Sequence, residues 1–378
     1  MKIPFYHRFH GNNETTYITE CLKSSLATGG NFSRQALGAL KQSLLQENLL
    51  LVPSCSSGLE LSLALLPLQP QDEVILPAFN FPSAANAILQ KGAKPVFCDI
   101  DPQTQNITAT EIEKHLTEKT RAVITVDYAG IACDYDTIRQ LTADKQLFLV
   151  QDAAQSLGSF YKDKPLGVQG DFSSISFHHT KNIVCGEGGL FFCKNNDFFE
   201  AAKIYQMHGT NRQAFLDGLC DRYTWRQAGT SFPLNELSCA FLLSQLEATD
   251  TITNYRKSRL MTYLTLLKPF EAMGLAVQMQ IPEYCTPNGH LYYLRFANHA
   301  LMEEARLFLQ KNGIDARTHY VPLHASPMGK QLGYEPKDCP ESITAYETLL
   351  RLPIHTGLTQ AEQEMICELL LDWGKTKC

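Results

Sequence analysis

The chain has 378 residues, with 33 Lys plus Arg against 39 Asp plus Glu and a formal net charge of −6. A content of 44% hydrophobic and 19% charged residues, without any biased tract, excludes disordered and collagen-like readings and leaves a globular protein of about two to three domains' length. Mild acidity without a Lys/Arg cluster argues against nucleic acid or an anionic membrane as partner, and no apolar run approaches the ~20 residues that span a bilayer.

The start of the chain, Ile3-Pro4-Phe5-Tyr6-His7-Arg8, has neither the apolar centre nor the small-residue cleavage site of a signal peptide. The 12 cysteines include no C-x-x-C pair, and several, such as Cys98 and Cys193, sit inside strand-like runs. Buried, reduced thiols are expected, which points to the cytoplasm.

From about residue 49 to 193, short apolar runs alternate with amphipathic stretches. The runs fall at 49–52, 74–76, 95–98, 122–126, 147–150, 174–177 and 189–193. Their length and two-sided hydrophobicity predict strands buried on both faces of a mostly parallel sheet. Helices are predicted between them at 58–66, 82–91 and 136–143, giving a doubly wound α/β domain over residues 1–245. Beyond it, a long helix is predicted over 246–267, a loop at 282–289, a strand at 291–296, and helices at 301–311, 342–350 and 360–373. These make a smaller α+β domain over residues 246–378.

Doubly wound sheets bind ligands outside the carboxyl ends of their strands, so the loops after each run are where chemistry is expected. The first, Ser54-Cys55-Ser56-Ser57-Gly58, is a turn of small hydroxyl residues opening a helix. It suits a phosphate cradle, or a plain helix cap, and is not a Walker loop. Next, Phe79-Asn80-Phe81 ends a strand and could stack an aromatic on a flat ring, or serve ordinary core packing. Asp152 directly follows a buried strand, where a carboxylate needs a cation; a protonated pyridinium would supply one, with a helix N-cap or a magnesium ligand as alternatives. Lys181, in Ser176-Phe177-His178-His179-Thr180-Lys181-Asn182, follows another strand end; it is a candidate Schiff-base and proton-moving amine, against the alternative of a solvated loop Lys. Lastly, Arg317-Thr318-His319-Tyr320-Val321-Pro322-Leu323-His324 gathers cationic and aromatic groups suited to a phosphorylated or sugar ligand. His319 and His324 lack zinc spacing, and Asp99-x-Asp101 lacks the rest of a calcium loop, so no metal is expected.

The order of these signals is more specific than any of them alone. A phosphate turn, a stacking aromatic, a strand-end Asp and then a strand-end Lys is the layout of fold-type I pyridoxal phosphate enzymes. Asp152-Ala153-Ala154-Gln155, the Ser176 to Asn182 segment and Gly186-Glu187-Gly188-Gly189 resemble the DegT/DnrJ/EryC1/StrS sugar aminotransferase family over nearly the whole chain. The resemblance implies pyridoxal 5′-phosphate as cofactor, Lys181 as its Schiff-base lysine, Asp152 at the pyridine nitrogen and Gln155 near the phenolic oxygen. It further implies Ser56, Ser57 and Ser176 on the phosphate, Phe81 on the ring, and a homodimer with shared active sites.

His208-Gly209-Thr210-Asn211-Arg212, Tyr223-Thr224-Trp225-Arg226 and Thr318-His319-Tyr320 through His324 resemble one branch within the family. That branch transaminates dTDP-4-keto-6-deoxy-D-glucose to dTDP-4-amino-4,6-dideoxy-D-galactose, for enterobacterial common antigen. The branch resemblance implies L-glutamate as donor, a nucleotide-sugar acceptor, and substrate contacts from Arg212, Arg317, His319, Tyr320 and His324. The same chemistry on a UDP-linked or 3-keto sugar, or giving the equatorial amine, is the alternative, with a non-catalytic ligand sensor more distant. Lys181 separates the chain from the sugar 3-dehydratases, which carry a histidine there. The resemblance departs at Gly229-Thr230-Ser231-Phe232-Pro233, where many members have Gly-x-Asn-x-Arg; Ser231 stands where that Asn reaches the neighbouring subunit's cofactor phosphate.

Overall fold

The computed structural model describes residues 2–24 and 26–377. The first strands are β1 (Leu49–Val52), β2 (Glu73–Pro77), β3 (Lys94–Cys98), β4 (Thr120–Val126) and β5 (Phe148–Asp152). A short hairpin follows, β6 (Phe160–Tyr161) and β7 (Lys164–Pro165), then β8 (Phe172–Ser176) and β9 (Gly189–Cys193). The last strands are β10 (Ala276–Gln278), β11 (Cys285–Thr286), β12 (Tyr292–Phe296) and β13 (Leu349–Leu352). Seven of them form one sheet in the order β1-β9-β8-β5-β4-β2-β3. Its centre is parallel, and β9 runs antiparallel to both β1 and β8.

Period-two alternation explains why these strands read as continuous apolar runs. Val74, Leu76, Ala122, Ile124 and Val150 pack into one apolar layer, while Ile75, Val123 and Leu149 pack into a second on the opposite face. At about 25 cal/mol per Å² of apolar surface, this double burial is the main driving force for assembling the sheet. The second layer continues into the C-terminal part of the chain, where β10, β12 and β13 form an antiparallel sheet and Trp373 packs on Phe270 and Phe296. The two-residue strands β6, β7 and β11 tie the two parts together.

Two predicted elements differ in detail. The expected helix over 246–267 is the helix Thr249–Leu266; its predicted first residue, Leu246, instead closes the preceding helix Glu236–Leu246. The expected helix over 342–350 ends at Thr348, and Leu349 and Leu350 instead open β13, paired with β12. Leu349, Leu350 and Leu352 fit either period, and sheet pairing decides the outcome.

Register aligns the carboxyl ends of the central strands. Val126, last in β4, pairs with Asp152, last in β5, and Asp152 pairs with Ser174 in β8. The helix Cys55–Leu65 crosses this edge unusually closely, because a Cβ on Gly58 would lie 2.1 Å from Ser174 Oγ. Next to the edge, Asp127 is fully buried and has no cation within its hydrogen-bonding shell. Tyr135 Oη donates to its Oδ1 (2.7 Å), while Gln151 Nε2 and Ser156 Oγ donate to its Oδ2 (both 2.6 Å). Burial pushes its pKa up to about 6, against the lowering effect of these donors.

A folded-state pKa raised above the unfolded value means that the folded chain binds more protons between about pH 4 and 6. Stability therefore falls as pH rises through that window, by up to about 3 kcal/mol, and is flat above it. Asp127→Asn keeps the shape and abolishes this titration. The stability gap between variant and wild type in urea unfolding should shift in the variant's favour by about that amount from pH 4 to 7. A constant gap would show that Asp127 does not titrate in the window.

Candidate active site

At the carboxyl edge of the sheet lies a cavity of about 510 Å³. Strand ends and helix starts supply its floor: Asp152 from β5, Ser176 from β8, Ser54, Cys55 and Ser56 from one helix start, and Asn80, Phe81 and Ser83 from another. The N-terminal part contributes Phe5 and Tyr6; the C-terminal part contributes Arg256, His290, Arg317, His319, Tyr320 and Arg351.

Lys181 reaches the cavity from the connection between β8 and β9. That connection is pinned by its own backbone: Phe177 N–H to Gly188 O, His179 N–H to Gly186 O and Lys181 N–H to His178 O, each 2.8 Å. Gly186, at φ 86, permits the turn. The amine is held below the ordinary lysine pKa, chiefly by desolvation, with the nearby Cys55 and Asp152 opposing the shift. A neutral amine, the form that can attack or take up a proton, is thereby favoured.

Asp152 is buried, and its carboxyl is held above the usual range by burial, with the Ala154 N–H (3.2 Å) and the Lys181 charge pulling it down. Its other neighbour is the Cys55 thiol, 3.8 Å away. No ion pair compensates it among the described residues. Gln155 is aimed by the Ala129 N–H, which donates to its Oε1 at 2.7 Å from a residue at φ 61; the Gln155 Nε2 faces Tyr320 Oη at 3.4 Å. Two helix N-termini converge alongside, joined by Ser56 Oγ and Ser83 Oγ at 2.5 Å. One wall is aromatic: His319 stacks on Tyr320 with centroids 3.6 Å apart, its Nδ1 meets Tyr128 Oη at 2.8 Å, and Phe81 lies 6.3 Å from Tyr320.

The structure thus brings Lys181, Asp152, Gln155, Ser56, Ser176, Phe81, Arg317, His319 and Tyr320 to one cavity. Four other residues singled out from the sequence lie outside its lining. Ser57 turns its hydroxyl to Ser54 (3.0 Å). Arg212 starts the short helix Arg212–Leu216, and Ser231 is exposed on the same excursion of the chain. His324 is wholly buried, its Nε2 3.2 Å from Pro336 O.

The profile of the DegT/DnrJ/EryC1/StrS aminotransferase family matches residues 9–371. The chain belongs to this family. An uncharacterized protein of Methanocaldococcus jannaschii is 32% identical over 364 residues, covering 94% of each chain. Among solved structures, Spr1654 of Streptococcus pneumoniae in its PLP-form is 27% identical with a TM-score of 0.91, covering 100% of both chains. PseC of Helicobacter pylori, an aminotransferase in pseudoaminic acid biosynthesis, is 25% identical with a TM-score of 0.91, again over 100% of both chains. Family members are sugar aminotransferases of fold type I that depend on pyridoxal 5′-phosphate.

The cavity's donor set fits the family cofactor. Asn80 Nδ2 is buried without a partner at the helix start where a phosphate would lie. The unpaired Asp152 meets the requirement of a protonated ring nitrogen, and Lys181 that of an aldehyde.

Of the residues that the C-terminal part adds, sequence reasoning named Arg317, His319 and Tyr320 but missed Arg256, His290, Asn288 and Arg351. Arg256 sits mid-helix and donates to the carbonyls of Gly289 (3.1 Å) and His290 (2.8 Å). His290 Nδ1 meets Asn182 Oδ1 at 2.9 Å. Asn288 joins both halves: its Nδ2 donates to Gln155 O (2.8 Å) and Leu157 O (2.9 Å), and its Oδ1 accepts from His290 N–H (2.8 Å). The Pro287-Asn288-Gly289 turn signal was the available clue.

Asn288→Ala would strand two buried carbonyls and one buried N–H, at a cost of about 2–5 kcal/mol. Calorimetry should show a lower unfolding midpoint, and dialysis a faster loss of cofactor, because the backbone at Gln155 and His290 loses its common support. An unchanged midpoint and retention would refute the bracing role.

Proposed function

We propose that this family member transfers an amino group from an amino-acid donor, L-glutamate, to C4 of a nucleotide-linked 4-keto-6-deoxyhexose. The acceptor proposed is dTDP-4-keto-6-deoxy-D-glucose and the product dTDP-4-amino-4,6-dideoxy-D-galactose, for a cell-envelope glycan such as enterobacterial common antigen. The observation that carries the reading is the unpaired Asp152 beside the desolvated Lys181, in one cavity with the cationic and aromatic Arg317, His319 and Tyr320. These last three suit a phosphorylated sugar: a fixed guanidinium for oxygen anions and flat rings for the hexose and base.

When bound, pyridoxal 5′-phosphate supplies a ring that withdraws electrons from the donor's α-carbon, so that its proton can leave. The chain's residues do the remainder. Lys181 Nζ takes the α-proton and moves it, and the desolvation that lowers its pKa favours the neutral amine this task needs. Asp152 keeps a proton on the ring nitrogen by presenting a negative charge to it. Gln155, locked by the Ala129 N–H, would hold the phenolic oxygen through its Nε2, which also faces Tyr320 Oη. Burial and the cations Arg351 and Lys181 keep His319 neutral, so it donates or accepts at the acceptor without adding a charge.

We also propose a large domain over residues 1–245, a small one over 246–378, and a homodimer with shared sites in the cytoplasm. Leu219 (78% exposed) and Trp225 (79% exposed) give the segment before Ser231 an apolar surface of the kind a second subunit covers. The described cysteines, all free, accord with a reducing compartment. No helix among the described residues is long and apolar enough to cross a membrane.

Incubating the protein with glutamate and dTDP-4-keto-6-deoxyglucose, then assigning the product by NMR, tests the reading; an axial C4 amine supports it. An equatorial amine, or turnover only with a UDP-linked or 3-keto sugar, replaces it with that specificity. Borohydride treatment of the holoenzyme should leave the pyridoxyl group on the peptide carrying Lys181 and on no other. Asp152→Asn, which keeps size and hydrogen bonding, should lower turnover by orders of magnitude with an unaltered circular dichroism spectrum; near-normal turnover would reduce Asp152 to a helix cap.

Subunit sharing has its own test. A heterodimer of Lys181→Ala chains with chains carrying Ser231→Trp collects both lesions in one site and leaves the other whole. It should retain about half of wild-type activity if Ser231 serves the neighbouring site. A fully active Ser231→Trp homodimer removes Ser231 from the cofactor ligands.

A further inference from the structure

The cavity is lined by four cations, Lys181, Arg256, Arg317 and Arg351. Arg317 is already matched, with its Nε and Nη2 on the two oxygens of Asp315 at 2.9 and 2.6 Å. Lys181 has Asp152 nearby. Arg256 and Arg351 are different: both are largely buried, and neither meets a carboxylate within ion-pair distance among the described residues.

Arg351 donates from Nη2 to Thr318 O at 2.7 Å and lies over the Phe5 ring at 4.8 Å, while its Nε is buried with no partner. Arg256 spends Nε and Nη2 on the Gly289 and His290 carbonyls, leaving Nη1 without a hydrogen bond. Beside it, the hydroxyl of Tyr6 is buried and unpartnered, and the two groups interact electrostatically. A buried guanidinium without a counter-ion is costly, and two of them open on one cavity call for two anions. The two are not equivalent in position. The charge of Arg351 bears on Lys181, whereas that of Arg256 bears on Tyr6; both bear on His290.

In an α-amino acid the α-carboxylate sits one carbon from the nitrogen that takes the place of the lysine amine. The anion nearest Lys181 is therefore the donor's α-carboxylate, and the other pair of donors, Arg256 and Tyr6, falls to a second acidic group. We propose that Arg351 holds the α-carboxylate and that Arg256 with Tyr6 holds the distal carboxylate of a dicarboxylic amino donor, so that the two arginines set donor specificity. This rests on the aminotransferase reading above and deepens its donor half.

The test is calorimetric titration of the holoenzyme with glutarate, butyrate and thymidine diphosphate, none of which can react. Glutarate should bind at least tenfold more tightly than butyrate. Arg351→Met should weaken glutarate tenfold or more and leave thymidine diphosphate unchanged, with Arg351→Lys recovering part of the loss. Arg256→Lys should erase the preference for glutarate over butyrate; the conservative change is chosen because Arg256 also ties down two carbonyls. Glutarate and butyrate binding alike, or Arg351→Met sparing glutarate and weakening thymidine diphosphate, overturns the proposal. The latter result would give these arginines to the nucleotide's phosphates. Product assignment on the keto sugar is a separate measurement: its failure with glutarate binding as expected would sink the acceptor reading alone.

Discussion

A carboxylate withdrawn from water costs several kcal/mol unless a cation meets it, and Asp152 is withdrawn without one. The rest of the site can be understood from that single imbalance. The chain could have relieved it with an arginine or lysine in direct contact; instead it supplies one backbone N–H, a weakly donating thiol and the more distant Lys181. A charge left open in this way is poised for a cationic ring, and holding it open requires that neither water nor protein side chains fill the space.

The sheet provides that rigidity by separating two carboxylates on adjacent strands. Alternation along β5 sends the side chains of Gln151 and Asp152 to opposite faces. On one face Gln151 links Asp127, Leu166 O, Gln169 N–H and Ser173 Oγ in a closed network with all polar groups engaged. On the other, Asp152 looks into the cavity. Asp127 needs no cation because three neutral donors surround it, and its raised pKa shows that even these do not fully offset burial. The close approach at Gly58 seals the edge between them, placing the helix start, with its unsatisfied N–H groups, within reach of the same ligand.

How much of this was legible in the sequence follows from which interactions are local. Lys181, Asp152, Ser56 and Ser176 stand at strand ends or helix starts, and that position alone brings them to the ligand-binding edge of a parallel sheet. Their motifs could be read directly. Arg256, His290, Asn288 and Arg351 reach the site only because β12, β13 and the helix Thr249–Leu266 dock against it, an arrangement no spacing encodes. Arg351 was masked further by lying in a leucine-rich stretch that fits helix and strand alike. The converse error has a local cause too. His324 lies beside Tyr320 in sequence, but Pro322 and the turn Leu323–Ala325 carry it into the core, against Pro336 O.

The charges of the assembled cavity also constrain the order of events. With Arg317 matched by Asp315, the cations Lys181, Arg256 and Arg351 stand against Asp152 and Glu187, one net positive charge by formal count, 3 − 2, before any ligand is counted. Arg256 and Arg351 meet no carboxylate within ion-pair distance among the described residues, and they keep a positive potential beside Tyr6 and Phe5. That unmatched potential suits an anionic amino donor, and the acceptor proposed above is an anion as well. Donor and acceptor enter the same cavity even where different cations meet them, and two anionic ligands held there together would repel at low effective dielectric. Alternate occupancy of the cavity is what a two-stage amino transfer needs: the first product, an oxo acid, must leave before the sugar acceptor enters. High ionic strength should weaken capture of both ligands while leaving the buried chemistry of Lys181 and Asp152 little affected, since salt screens approach far more than it screens charges already enclosed.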